Sequence, residues 1–313
     1  MTSISTKIKP NSTGLATMAD GAAPISTAGR GDRLTALDDD LLHKIITHLP
    51  VTEAARTVAL AKRWRHLWSS TPLVLYDGDL IGPGRDALVC RVLREHPGHF
   101  RSVRLTDCRL DSMDRELPGW PLRLADKNTQ RLDLVNGFIP DQDNTLWRIP
   151  ADVLRCESLE ELLLGYWAFP RRADIVLPRL RCLSLLMVVI SDEDLEHLIN
   201  ACPVLEILKL NGGRPKNVRL RSRSLRCALV GLSRVQNFMV VDAPLLERLV
   251  LFSPGNGVRV KIGFAANLRV LGHLDTRAHR LQIGDIVIEV QATSSLNLKL
   301  FPSTLIRSSC SPL

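Results

Sequence analysis

A hydrophobic pattern of the form Leu-x-x-Leu-x-Leu recurs through the middle of this 313-residue chain. It stands at Leu159-Leu162-Leu164, Leu180-Leu183-Leu185, Leu205-Leu208-Leu210 and Leu246-Leu249-Leu251, with looser copies at Val103-Leu105, Leu132-Leu134, Leu225-Ala228-Val230 and Leu268-Leu271. Neighbouring copies lie about 20 to 30 residues apart, and a unit of that length cannot bury its leucines alone. Stacking the units buries them, so the pattern predicts an α/β solenoid with a parallel sheet. The segments between copies supply the outer layer. The clearest is Ser191 to Cys202, where Ser191 and Asp194 suit a capping box, Leu195, Leu198, Ile199 and Cys202 face inward, and Pro203 stops the helix.

A second dense stretch, Asp32 to Trp68, reads as three short helices. Asp38 caps the first, Asp39 and Asp40 sit in its positive first turn, and Leu41, Leu42, Ile45, Ile46 and Leu49 form one apolar stripe before Pro50 ends it. Thr52 is the expected cap of the second, with Ala54, Ala55, Val58 and Ala59 as a small-residue face. The third runs from about Lys62 to Trp68, with Trp64, Leu67 and Trp68 on one side. A piece this small needs a partner surface, either within the chain or on another protein.

This stretch resembles a plant F-box. It carries Asp32-Arg33-Leu34, Leu37-Asp38-Asp39-Asp40-Leu41-Leu42, His48-Leu49-Pro50 and Arg63-Trp64-Arg65-His66-Leu67-Trp68 in the family's order, with Asp38 where the family usually has proline. Ala201-Cys202-Pro203-Val204-Leu205-Glu206 resembles the leucine-rich repeats that follow F-boxes in plant proteins. The resemblance implies an N-terminal three-helix F-box followed by a leucine-rich-repeat solenoid. It also implies docking on a Skp-type adaptor and, through it, on cullin and RING ubiquitin-ligase subunits. The residues expected to meet the adaptor are Leu37, Leu41, Leu42, Ile45, Leu49, Val58, Leu60, Trp64 and Trp68. The role implied is that of a non-catalytic substrate-recognition subunit of an SCF-type ligase, in the cytoplasm, the nucleus or both. The alternative is a ligase-independent interaction scaffold or a truncated, poorly folded family member.

The expected organisation is a disordered segment over 1–31, the F-box over 32–70, a connector and linking helix over 71–98, repeats over 99–274 and a tail over 275–313. Within the connector, Leu73 to Tyr76 suits a strand and Asp86 is the expected cap of a helix that ends at His96-Pro97-Gly98. His96 and His99 fall on that loop and read as loop residues rather than metal ligands. Seven scattered cysteines without a C-x-x-C pair read as reduced and mostly buried, with no disulfide framework or zinc site expected. No apolar run is long enough to span a bilayer, and no nucleophile elbow, zinc-protease helix or P-loop is present to support an enzyme or a cofactor. The net charge of +8 is spread along the chain and aromatics are only 4%, which suits an acidic protein partner better than nucleic acid.

Within each repeat the two-residue period of a strand sends the leucines inward and the intervening positions to the concave face. Leu163, Leu186, Ile207, Leu229, Val250 and Phe252 would line that face, among Glu161, Lys209 and Arg248. An apolar stripe there marks either a binding site for the target protein or the resting place of a loop or of the tail. A second candidate is the basic cluster Arg214, Lys216, Arg219, Arg221, Arg223 and Arg226, which reads as a grip for a phosphorylated target segment or as a solvated face.

Overall fold

A computed structural model describes residue 34 and residues 36–137, 147–213, 215–231, 235–252, 258–272, 280–284 and 286–289. The expectations for 1–31, for Asp32 and Arg33, for Arg214 and for most of the tail lie outside these residues.

The chain opens with helices α1 (Asp39–His48), α2 (Val51–Arg56) and α3 (Lys62–Ser70). Asp38 caps α1, its carboxylate accepting from the Leu41 N–H at 2.8 Å. The second helix differs from expectation. Pro50 occupies its N-cap position with no side-chain bond, and the helix tightens into a 3-10 turn at Thr57–Ala59, so Ala55 and Ala59 are exposed and no small-residue face packs.

Thr71 leads from α3 directly into β1 (Leu73–Tyr76), which pairs in parallel with β2 (Phe100–Leu105) across α4 (Arg85–Glu95). The main sheet therefore begins inside the segment that the sequence suggests is a connector. Gly84, at φ +85°, takes the N-cap position of α4 that Asp86 was expected to hold, and the Asp86 carboxylate instead accepts from the Arg109 N–H at 3.1 Å. Buried Asp77 fastens β1 to the turn after β2 by accepting from the N–H groups of Thr106, Asp107 and Cys108 at 2.7 to 2.9 Å.

Beyond β2 come α5 (Leu110–Glu116), α6 (Trp120–Asp126), β3 (Arg131–Val135), β4 (Glu161–Gly165), β5 (Cys182–Leu186), α7 (Asp192–Asn200) and β6 (Ile207–Asn211). The chain then alternates between two sheets, through β7 (Asn217–Arg221), β8 (Cys227–Gly231), β9 (Asn237–Asp242), β10 (Arg248–Phe252), β11 (Arg259–Phe264), β12 (Val270–Gly272) and β13 (Arg280–Ile283), and β14 (Ile286–Glu289) pairs antiparallel with β13 in the same sheet. The concave sheet runs β1-β2-β3-β4-β5-β6-β8-β10-β12, parallel throughout. A second sheet, β14-β13-β11-β9-β7, backs its later strands.

Coil length tracks the outer layer at the two ends of the stack, although the short coil from β4 to β5 carries neither helix nor outer strand. Strands that begin at residues 100, 131 and 161 are about 30 residues apart and leave room for α5, α6 and a 3-10 turn at Ala151–Arg155. Strands that begin at 207, 227, 248 and 270 are only about 20 apart, enough for two strands and two turns. The second sheet was legible as strict alternation in Asn217-Val218-Arg219-Leu220-Arg221 and Arg259-Val260-Lys261-Ile262, where the apolar residues are buried and the others exposed.

The repeat leucines form the core as the pattern requires. Leu162, Leu164, Leu183, Leu185, Leu208, Leu210, Leu249 and Leu251 are all buried in one continuous cluster that starts at Val51. The Ser191 cap also forms, its hydroxyl accepting from the Asp194 N–H at 3.1 Å.

One position before each strand, Glu160, Arg181, Glu206, Arg226, Glu247 and Arg269 stack along one edge of the concave sheet. From Arg181 on, each residue's N–H donates to the carbonyl of the one before. Arg181 pairs with Glu206 at 2.9 Å and Arg226 with Glu247 at 2.8 Å.

Candidate functional site

Two surfaces carry the residues expected to meet an adaptor and a target, while of the basic cluster Lys216, Arg219, Arg221 and Arg223 are exposed on or beside β7 of the outer sheet and Arg226 lies at the edge of the concave sheet. The first is the helical module, whose interior is Leu42, Ile46, Ala54, Trp64 and Leu67, with Leu37, Leu49 and Trp68 packed partly against it. The stripe of α1 is thus two stripes, because residues four apart stack on one side of a helix and their neighbours lie about 100° around it. Leu42 and Ile46 turn in, whereas Leu41 is 43% and Ile45 38% exposed. Leu60 is 63% exposed, and Val58 is half-buried.

Nine residues were expected to meet an adaptor. Of these, Leu42 and Trp64 are interior, and Trp68 is committed to the junction, touching the module and the solenoid core alike. Leu41, Ile45 and Leu60 are the outward ones. Sequence reasoning missed Arg63, whose guanidinium holds α3 on α1 by donating to Asp39 Oδ1 at 2.8 Å and to the Leu37 carbonyl at 2.6 Å.

The module is fused to the solenoid without a free linker. Val51 joins the solenoid core, the Thr71 hydroxyl donates to the Leu67 carbonyl, and the Leu73 N–H donates to the His99 carbonyl. His96 is buried at this seam, its ring 4.9 Å from Trp68 and 5.5 Å from Phe100. Burial pushes its pKa down to about 4, helped by the Lys127 ammonium and His99. Lys127 Nζ donates to the His96 carbonyl at 2.6 Å.

The second surface is the concave face, where registry orders the outward side chains into rows. One row runs Tyr76, Arg104, Asp133, Leu163, Ser184, Lys209, Leu229, Val250 and Gly272. Its first members satisfy one another. Asp133, 6% exposed, accepts from Arg104 Nε at 3.0 Å and Arg131 Nε at 3.3 Å, Arg131 pairs with Glu161 at 3.1 Å, and the Arg104 guanidinium lies 5.3 Å from the Tyr76 ring centre.

From Leu163 onward the face is half-buried and mostly apolar, interrupted by Ser184, Lys209 and Asn211. Leu163, Leu229 and Val250 share the central row, Ile207 and exposed Arg248 flank it on the strand-start side, and Leu186 and Phe252 flank it on the strand-end side. The sequence-predicted target residues therefore share one face but spread over three rows. Phe252 lies on Gly231, whose added Cβ would stand 3.0 Å from the ring, so only glycine leaves the phenyl this close to the strand.

Reactive chemistry has little to work with here. Burial pushes the thiols of Cys90 up to about 11 and Cys202 up to about 12, and raises that of Cys108 further beside Asp77, so they remain protonated and inert. Among the described residues no three His, Cys, Asp or Glu side chains are placed to hold a metal, and no helix is long and apolar enough to cross a membrane. The void beneath β5, β6 and β8 is about 10 Å³, the room of a single water.

A three-helix module with outward leucines, continuous with a leucine-rich solenoid, defines an F-box/leucine-rich-repeat protein. Comparison with known families agrees. The F-box domain model matches residues 34–76, and the family described as FBD-associated F-box protein At5g56370, LRR repeats, matches residues 117–304. The FBD-associated F-box protein At5g22720 of Arabidopsis thaliana is 29% identical over 242 residues, 72% of this chain and 51% of its own length. Two more Arabidopsis proteins are similar: F-box/FBD/LRR-repeat protein At2g26030, 29% identical over 70% of this chain and 52% of its own, and F-box/LRR-repeat protein 13, 27% identical over 88% of this chain and 66% of its own. The chain belongs to this plant F-box/leucine-rich-repeat family. It spans about half the length of most of the curated relatives it matches.

Proposed function

We propose that the chain is the substrate-recognition subunit of an SCF-type ubiquitin ligase, its F-box docking a Skp-type adaptor and, through it, cullin and RING subunits. The observation that carries this reading is the outward pair Leu41 and Ile45 on α1, in a segment matched as an F-box domain. Large apolar side chains left in water on a helix whose other side is already packed are suited to burial by a partner. The target protein lies across the apolar later rows of the concave face, with Phe252 as its aromatic anchor, because buried aromatics dominate such interfaces. Ubiquitin transfer belongs to other subunits. Cytosol or nucleus suits the free cysteines, which those compartments keep reduced.

The test is Leu41→Asp. Burying one leucine is worth roughly 1.5 to 3 kcal/mol, and a carboxylate in its place adds a desolvation cost. The variant is expected to melt like the wild type, since position 41 is exposed, yet to lose adaptor in co-purification. A folded Leu41→Asp chain that keeps a stoichiometric adaptor overturns the docking assignment. A wild-type chain that binds no adaptor turns the reading to a ligase-independent scaffold.

A further inference from the structure

The outer sheet has a feature that adaptor docking and concave target binding leave unused. Among the described residues nothing covers its outward face, although parallel sheets are ordinarily covered on both sides. Strand β9, between β7 and β11, carries half-buried Asn237, Met239 and Val241. Exposed Arg219 and Arg221 on β7 flank it on one side, and exposed Arg259 and Lys261 on β11 flank it on the other. Registry sets Arg219, Met239 and Lys261 side by side, and likewise Asn217, Asn237 and Arg259.

None of these four cations makes an ion pair among the described residues, whereas Arg181 and Arg226 on the other sheet do. Two carboxylates lie close by in register or sequence, one engaged and one not. Asp192 is engaged by the Lys216 and Asn217 N–H groups and by Asn217 Nδ2, and Asp242 stands beside Arg221 in register without pairing to it.

From this arrangement we propose that the outer face of β7, β9 and β11 binds an acidic, extended segment of a partner protein laid along β9. Two strand spacings separate the basic rails by about 9.6 Å, the width of an extended chain with its side chains splayed. Cations two residues apart on one rail repeat every 7 Å or so, the same-side repeat of an extended peptide. Successive acidic side chains therefore meet the rails alternately, and Arg219, Arg221 and Arg259 can each take a carboxylate in a two-pronged hydrogen bond. A single nucleic-acid strand fits less well, because its bases need aromatic platforms and the floor of the trough is Asn237, Met239 and Val241. The proposal stands apart from concave target binding and survives its failure.

The experiment is fluorescence anisotropy with the full chain and a labelled octaglutamate peptide at low salt, with octaglutamine and an eight-nucleotide oligothymidine of matched label as comparators. Octaglutamate is expected to bind, octaglutamine not, and binding is expected to weaken as salt rises. Arg219→Glu/Lys261→Glu should weaken octaglutamate about tenfold or more at an unchanged melting temperature. Arg171→Glu/Arg179→Glu, an equal charge change at exposed positions elsewhere, and Phe252→Ala should leave it alone. Absence of octaglutamate binding overturns the proposal, as does equal weakening by both charge-reversal pairs. Tighter binding of oligothymidine that the Arg219/Lys261 pair abolishes assigns the trough to nucleic acid instead and overturns it too.

Discussion

The first coils of the solenoid and the later ones solve the same burial problem with different outer layers, and the difference reaches both surfaces. Around β2 to β4 the coils are long, helices cover the back, and the concave side chains neutralise one another through Asp133, Arg104, Arg131 and Glu161. From β6 on the coils are short and a second sheet forms the back. There the concave face is mostly apolar, with Lys209, Asn211 and Arg248 among the apolar side chains, and the convex face carries cations without ion partners among the described residues. The early coils are finished within themselves and suited to carrying the F-box. The later ones are thin and leave unmatched chemistry on both sides, which is where contact with other molecules is to be sought.

That contrast can be broken most forcefully from inside. Phe238 is a fully buried aromatic of the later half, and Phe238→Ala should remove about 3 to 5 kcal/mol. All five tryptophans lie between residues 64 and 167, so tryptophan fluorescence reports the early coils while circular dichroism reports both halves. Because repeats couple mainly to their neighbours, the dichroism of Phe238→Ala is expected to fall at lower denaturant than its fluorescence. Coincident transitions would mean that the two halves fold as one unit.

A change of pH should single out the front of the early half. His96 has its folded pKa pushed below the ordinary value near 6.5, to about 4. As pH falls, the unfolded chain takes up the proton first. Stability is therefore full above about 6.5 and declines by up to roughly 1.4 kcal/mol per pH unit until about 4. Trp68 fluorescence should register the loss, and His96→Gln should flatten that slope.

A smaller effect is expected from Asp133→Asn, which leaves two guanidiniums facing an amide. Both are more than a third exposed, so the loss should be about 1 to 2 kcal/mol, read by chemical denaturation. Smallest of all in stability should be Phe252→Ala and Leu229→Ser. They should lower the melting temperature by only a degree or so, since both side chains are on the surface and only partly buried. Yet they should reduce recovery of the target while sparing the adaptor. A fall of several degrees would reassign that stripe to the core.

Much of this was legible because local chemistry and global fold agree where repeats stack. The leucine pattern located the concave strands from β2 to β12, and Ser191 with Asp194 marked α7, since inward leucines and a capping hydroxyl each have one sensible use. The outer sheet is not marked by the leucines, although Val218/Leu220 and Val260/Ile262 alternate plainly, because the repeat pattern specifies the concave strands and leaves the outer layer of each coil open. Thr52 and Asp86 were expected as caps, but capping is decided by backbone geometry at Pro50 and Gly84, which composition does not reveal. The α1 stripe could not be divided without knowing where α3 packs. Leu41 and Leu42 are chemically the same residue, and only the neighbouring helix makes one a surface and the other a core.

The alternating edge residues Glu160, Arg181, Glu206, Arg226, Glu247 and Arg269 act as a parity check on assembly. A coil of leucines fits beside almost any other coil of leucines, so nothing in the core forbids a stack from closing with one member skipped. Skipping one brings like charge onto like charge, which is unfavourable where strands lie side by side. Each contact weighs only tenths of a kcal/mol, yet the penalty accrues before the wrong neighbour is locked in. Odd errors are penalised and even ones are not, so the misfolded forms most able to persist are those that omit two coils together.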